Sequence, residues 1–207
     1  MHGFGKSPKD MKPLVQNLEL LGYECMVPNL PLTFKEFDHS ALELEVILEK
    51  LIESNLKNGE KINLVGHSTG GLVIRKFVSE TKHLSSIGRC VLIATPNKGS
   101  KLANIAASIK PVGEIYRTLR SLKYEYIEQI EFTSAPDIEI AAIAGNKNNL
   151  FWGNLIRDEN DGRVELSSVY YPELKDCITL PYGHNEIHHQ QETAKWVDIF
   201  IRTGKFL

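Results

Sequence analysis

Apolar positions along the chain fall into two kinds of run. Met11, Leu14, Val15, Leu18 and Leu21 recur at helical spacing, and Gly22 supplies the stop. Leu44, Ile47, Leu48, Leu51 and Ile52 repeat the pattern, residues 70–80 form another helix, and Trp196, Val197, Phe200 and Ile201 give the last helix its apolar face. Between these lie short, continuous apolar runs at 23–27, 62–65, 90–94, 138–144 and 177–180, each closed by a turn residue or Pro. Apolar strands that alternate with amphipathic helices predict an α/β chain with a doubly wound, mostly parallel sheet and helices on both faces. Five parallel strands are expected. No repeat, low-complexity tract or linker interrupts the pattern, so residues 1–207 are read as one domain. Ligand chemistry in such a sheet belongs at the C-terminal ends of the strands.

Composition narrows the functional classes. The 24 Lys and Arg against 26 Asp and Glu leave a net charge of -2, which gives no general attraction to nucleic acid. No apolar stretch is long enough to span a membrane. Cys25, Cys90 and Cys177 are far apart, odd in number and not at metal-ligand spacing. They are read as free, buried thiols, which favours a reducing, cytoplasmic compartment.

The chemistry concentrates at one turn. Gly66-His67-Ser68-Thr69-Gly70 joins the strand at 62–65 to the helix at 70–80. This Gly-x-Ser-x-Gly pattern, between a strand and a helix, holds a serine hydroxyl at the tip of a strained turn. The helix that follows aims its N-terminus at developing negative charge. A serine nucleophile needs a base, and the base needs an orienting carboxylate. His184 follows the last strand on the same rim as Ser68 and is the base candidate. His188 and His189 are read as the first turn of the closing helix or as solvent-facing, and His83 falls on the opposite rim. The loop after residues 138–144 offers Asp158, Glu159 and Asp161; Asp161 is preferred because the Asn160-Asp161-Gly162 turn fixes its carboxylate. Two backbone amides are needed for an oxyanion. Thr69 supplies one and the His2-Gly3-Phe4-Gly5 loop the other, through Phe4 first and Gly5 second.

These segments together resemble the α/β-hydrolases of the bacterial lipase and esterase type. The matching stretches are HGFG at 2–5, GHSTGG at 66–71, ATPNKGS at 94–100, NDGRV at 160–164 and GHNEIHH at 183–189. The resemblance implies Ser68, Asp161 and His184 as a catalytic triad, with Phe4 and Thr69 as the oxyanion hole. His67, before the serine, is read as structural. The implied activity is hydrolysis of a small-molecule or lipid carboxylic ester with an apolar acyl group, without metal or organic cofactor. Thioesterase, amidase and acyltransferase chemistry use the same triad, and an inactive binding protein on a hydrolase scaffold is the alternative from another class. Family members place an apolar strand directly before the HG loop, so Met1 is expected to be an internal residue of that strand.

Residues 97–137 form the longest insertion. Leu102, Ile105, Ala106 and Ile109 share one helical face, and Ile115, Tyr116, Leu119 and Leu122 another. A small helical cap is expected there, either lining an acyl pocket or packed on the sheet. Phe151 and Trp152, in the acid loop, are further candidates to border the site.

Overall fold

The computed structural model describes residues 1–57, 59–130, 132, 135 and 137–207. Four of the remaining positions (131, 133, 134 and 136) belong to the expected cap. In chain order the helices are α1 (Lys12–Leu20), α2 (Phe37–Asn55), α3 (Thr69–Glu80), α4 (Lys101–Ala107), α5 (Val112–Ile115), α6 (Arg117–Ser121), α7 (Tyr124–Gln129), α8 (Leu166–Val169) and α9 (Gln191–Thr203). The strands are β1 (Ile62–His67), β2 (Ile87–Ile93), β3 (Ile140–Gly145) and β4 (Asp176–Leu180). They form one sheet in the order β1-β2-β3-β4, with every neighbouring pair parallel.

Period-two alternation divides the strands' side chains between the two faces of the sheet. Leu64, Cys90 and Leu92 pack with Leu44 and Leu48 of α2 and with Leu72, Val73, Phe77 and Val78 of α3. Val91, Ile93, Ala141 and Ile143 point the other way, onto Leu14 and Leu18 of α1 and onto Ala194, Val197 and Phe200 of α9. Both faces are therefore covered, as continuous apolar strands require. Gly204 ends α9 in the left-handed region (φ +78°) and donates its N–H to the Phe200 carbonyl at 2.8 Å.

Two expectations are corrected here. The run at 23–27 keeps a strand's alternation, with Tyr23, Cys25 and Val27 turned toward the α1–α9 core and Glu24 and Met26 outward. It is nevertheless not a strand, because no ladder partner lies beside it among the described residues, and the sheet has four strands rather than five. Cys90 is buried, but Cys25 is half-buried and Cys177 exposed; all three are free thiols. Cys177 lies on β4, an edge strand whose burial alternates, and it falls on the open face.

Among the described residues no helix is long and apolar enough to cross a membrane.

Candidate active site

Close backbone packing builds the turn that carries Ser68. A Cβ on Gly66 would stand 2.6 Å from the Gly70 carbonyl carbon and oxygen, and one on Gly70 would stand 2.6 Å from the His2 carbonyl oxygen. Both positions therefore have room only for hydrogen, and α3 starts directly against β1 and the first loop. Ser68 itself adopts φ 54°, ψ -126°, a region that non-glycine residues rarely occupy. The conformation is held by its N–H, which donates to the Ile93 carbonyl at 2.8 Å, and by its carbonyl, which accepts from Gly71 at 2.9 Å.

The three residues singled out at the strand ends meet in space. Ser68 Oγ lies 3.0 Å from His184 Nε2, and His184 Nδ1 lies 2.7 Å from Asp161 Oδ2. All three are buried, Ser68 the least so at 8% exposure. Asp161 follows β3 as expected and its turn fixes it twice. Its Oδ1 accepts from the Arg163 and Val164 amides at 2.9 and 2.8 Å, and its own carbonyl accepts from the His184 amide at 2.8 Å. Gly162 takes φ +96°, which the turn requires, and donates to Asn160 Oδ1 at 2.8 Å. Asp158 and Glu159 stay outside this arrangement; Glu159 accepts from Asn146 Nδ2 on the surface.

The first loop presses on the serine. A Cβ on Gly3 would come within 2.9 Å of Ser68 Cβ. Phe4 follows, and among the described residues its amide donates to no acceptor, whereas the Gly5 amide is taken by the Leu32 carbonyl at 2.9 Å. Thr69 is the first residue of α3, so its N–H has no acceptor within the helix. The amides of Phe4 and Thr69 are therefore free to donate to a ligand oxygen, and that of Gly5 is not.

The segment ATPNKGS braces the acid turn. Ser100 Oγ donates to the Arg163 carbonyl at 3.1 Å, and Glu165 accepts from the Lys101 amide at 3.0 Å and from the Tyr124 hydroxyl at 2.6 Å. Arg75, sandwiched between the rings of Phe132 and Tyr171, donates to the Asn97 carbonyl at 2.9 Å. Glu165 and Arg75 carry no motif of their own, and only their burial against this segment picks them out.

Histidines behave less uniformly than the sequence implies. His67 is buried, and its Nε2 donates to the His184 carbonyl at 2.9 Å. His83 stands away from Ser68, near Glu45 and Glu49 of α2. His188 and His189 precede α9, in a 3-10 turn at Ile187–His189, and His188 is fully buried rather than solvent-facing. Its ring stacks on His67 at 3.7 Å. A sequence motif cannot reveal that stack, because its partner lies in the elbow.

Several large apolar side chains are exposed on the loop before α2 and on the loops and short helices that follow β2 and β3. Phe34, Ile105, Ile109, Ile115, Tyr116, Phe151 and Trp152 are all exposed. Tyr116, between α5 and α6, meets Phe4 edge-on at 6.1 Å and stacks on Phe34 at 5.8 Å. The Leu102–Ile109 face is thus not buried on the sheet; Ala103 is the residue of α4 that packs inward.

A family profile described as PGAP1-like alpha/beta domain matches residues 23–154, well over half of the chain. No curated protein sequence matches significantly. Among solved structures, the mature form of the Bacillus licheniformis lipase BlEst2 superposes with a TM-score of 0.82 at 20% identity, over 98% of this chain and 89% of that one. An esterase from Pyrococcus furiosus superposes at 0.64, with 18% identity over 98% and 79% of the two chains. The phospholipase PlaB from Legionella pneumophila superposes at 0.59, with 16% identity over 82% of this chain and 44% of that one. These likenesses, together with the parallel sheet, establish the α/β-hydrolase fold.

Proposed function

The chain belongs to the family of PGAP1-like alpha/beta domains, within the α/β-hydrolase superfamily, and we propose that it is a serine hydrolase that cleaves carboxylic esters through an acyl-enzyme. The carrying observation is the hydrogen-bonded chain from Ser68 Oγ through His184 to Asp161. Ser68 Oγ attacks the ester carbonyl while His184 Nε2 takes the hydroxyl proton. The Asp161 carboxylate stabilises the imidazolium that forms and holds the ring with Nε2 toward the serine. Negative charge on the carbonyl oxygen is received by the amides of Phe4 and Thr69, the latter at the N-terminus of α3. As the tetrahedral intermediate collapses, the leaving alkoxide takes the proton from His184. A water molecule then gives a proton to His184 Nε2 as it attacks the acyl carbonyl, and when the C–Oγ bond breaks His184 returns that proton to Ser68 Oγ and the acid leaves.

The exposed rings of Tyr116, in contact with Phe4, and of Phe34, stacked on Tyr116, favour an ester with an apolar acyl group, small or lipid. Residues 97–137 serve as a small cap, with Tyr116 against Phe4 as its contact with the oxyanion loop.

The test is labelling by a fluorophosphonate probe, with the modified residue mapped by mass spectrometry. Labelling at Ser68 that is lost in His184→Ala is expected. Folded protein that takes up no label would overturn the enzyme reading in favour of a binding protein. Rates on matched ester, thioester and amide substrates separate the related chemistries, with the ester expected to turn over fastest.

A further inference from the structure

Beneath the catalytic histidine the structure holds a pile of side chains that the triad does not use. His67 Nε2 donates to the His184 carbonyl at 2.9 Å, and the His67 ring lies 4.9 Å from the His184 ring. His188 stacks beneath His67 with centroids 3.7 Å apart and planes 19° from parallel. His188 Nε2 in turn faces Asp10 Oδ2 at 2.9 Å. Asp10 is also held by Lys6 Nζ at 3.2 Å, and its carbonyl accepts from His189 Nε2 at 3.1 Å. We propose that Asp10 and His188 are positioning residues for the reaction: they fix His67, which fixes the backbone of His184.

Three chain segments meet in this pile. Asp10 sits in the 3-10 turn Pro8–Met11, just after the oxyanion loop. His67 adjoins Ser68, and His188 lies four residues beyond His184 in the same loop. The pile therefore sets the distance between the loop that receives the oxyanion and the loop that carries the base. The partly exposed His189 adds a second link from the His184 loop to the same turn, through the Asp10 carbonyl at 3.1 Å.

The tautomers follow from the partners. His67 needs its proton on Nε2 to meet a carbonyl, and His188 needs its proton on Nε2 to meet a carboxylate. Both Nδ1 atoms are then bare, and both are buried without a partner among the described residues. Burial holds both rings neutral, His67 well below the ordinary histidine range and His188 at about 4. Asp10, His67 and His188 also place ligand atoms within 4.8 Å of one another. A shared metal ion does not suit the stack, because imidazole lone pairs lie in the ring planes. At 3.7 Å and 19° those planes meet only roughly 10 Å away, far beyond the ~2.1 Å of a metal–nitrogen bond. The arrangement suits two neutral rings in contact.

The inference rests on the proposed hydrolase reading, and its test is arranged to fail separately. Asp10→Ala removes the acceptor for His188, whereas Asp10→Asn keeps an oxygen there and removes only the charge. His188→Phe keeps a stacked ring and deletes the link to Asp10, so it serves where Asp10→Ala does not fold. On a p-nitrophenyl ester, Asp10→Ala and His188→Phe should lower kcat on the order of 10–100-fold with KM little changed, the effect of sub-ångström misplacement of a base. Asp10→Asn should recover most of that loss. The low-field proton resonance of the 2.7 Å His184–Asp161 hydrogen bond should shift in the two disruptive variants and return in Asp10→Asn. Folded Asp10→Ala or His188→Phe with kcat within about twofold of wild type and an unmoved resonance would overturn the proposal. Equal damage from Asp10→Asn and Asp10→Ala would also overturn it, since the carboxylate charge would then be what matters. A wild type that labels with no fluorophosphonate would instead reject the hydrolase reading, and the resonance, which needs no turnover, would still judge the pile.

Discussion

Asp161→Asn changes one atom and, on the geometry of its turn, reverses the direction of the hydrogen bonds through His184. Asp161 Oδ1 accepts from two backbone amides, Arg163 at 2.9 Å and Val164 at 2.8 Å. Only an oxygen satisfies both donors, so an asparagine must place its Oδ1 there and turn its NH2 group toward His184 Nδ1. Two donors cannot face each other at 2.7 Å, so His184 must leave Nδ1 bare and carry its proton on Nε2. Nε2 then donates to Ser68 Oγ across the 3.0 Å contact instead of accepting from it, and the serine has no base. In a Ser-His-Asp triad, the same wrong-tautomer substitution lowers kcat about 10⁴-fold, or roughly 5.5 kcal/mol of barrier. KM should barely change, because Asp161 is 1% exposed and lies behind the imidazole. The backbone bonds to the side-chain oxygen survive, so thermal unfolding should move by only a few degrees. The assay is steady-state hydrolysis of a p-nitrophenyl ester together with the rate of fluorophosphonate labelling, on protein checked by its melting curve. Folded Asp161→Asn with kcat within tenfold of wild type would refute the reasoning, since His184 would then be oriented by something other than Asp161.

Three further outcomes are expected. Gly66→Ala puts a methyl 2.6 Å from the Gly70 carbonyl atoms and 2.7 Å from the Gly71 nitrogen, all backbone; α3 must yield, at a cost of about 1–3 kcal/mol, and labelling of Ser68 should slow by about 100-fold, so an unchanged melt and labelling rate would contradict the close strand–helix approach. Tyr116→Ala removes the ring that meets Phe4 and stacks on Phe34, and should raise KM for octanoate and longer esters while leaving acetate unaffected; equal effects on both would deny Tyr116 a part in acyl binding. Burial depresses the titration of His67 and His188, so the unfolded chain binds protons that the native one refuses as pH falls from about 6.5 toward 4. Stability should then be full above pH 6.5 and fall on acidification by up to about 1.4 kcal/mol per pH unit for each ring. Asp10, also depressed although burial opposes it, extends the loss below its ordinary range; urea melts at pH 7.5 and 5 that match in wild type would contradict this.

How far the sequence reveals such a molecule depends on how local the determining contacts are. Ser68's turn was readable because its requirements sit within five residues: two glycines that admit no Cβ, a strand before and a helix after. Asp161 was readable for a similar reason, since its carboxylate is pinned by amides two and three residues on. His184 needed one step more, the placement of a loop at the end of β4, and strand order supplied it. The stretch at 23–27 shows where local pattern stops being enough. Its alternation is that of a strand, but a strand is defined by a partner, and the pattern says nothing of whether one is adjacent. Cys177 misled in the same way, because an apolar run does not reveal that its strand lies at an edge.

His188 is the instructive case. Nothing in GHNEIHH separates its second histidine from its third, yet one is fully buried and the other half-exposed. The difference lies in partners 121 and 178 positions away, His67 and Asp10. A buried imidazole without such partners would carry a desolvation cost with nothing to offset it. With them, two neutral rings stack, one proton goes to a carboxylate, and another goes to the carbonyl of His184. The residues that perform the proposed reaction could thus be read from short motifs, because each motif folds its own chemistry. The residues that hold those motifs in register were silent in the sequence, because positioning is a relation between distant segments. Substitutions at Asp10 and His188 are therefore the sharper test of the structure, whereas Ser68 and Asp161 test what the sequence already implied.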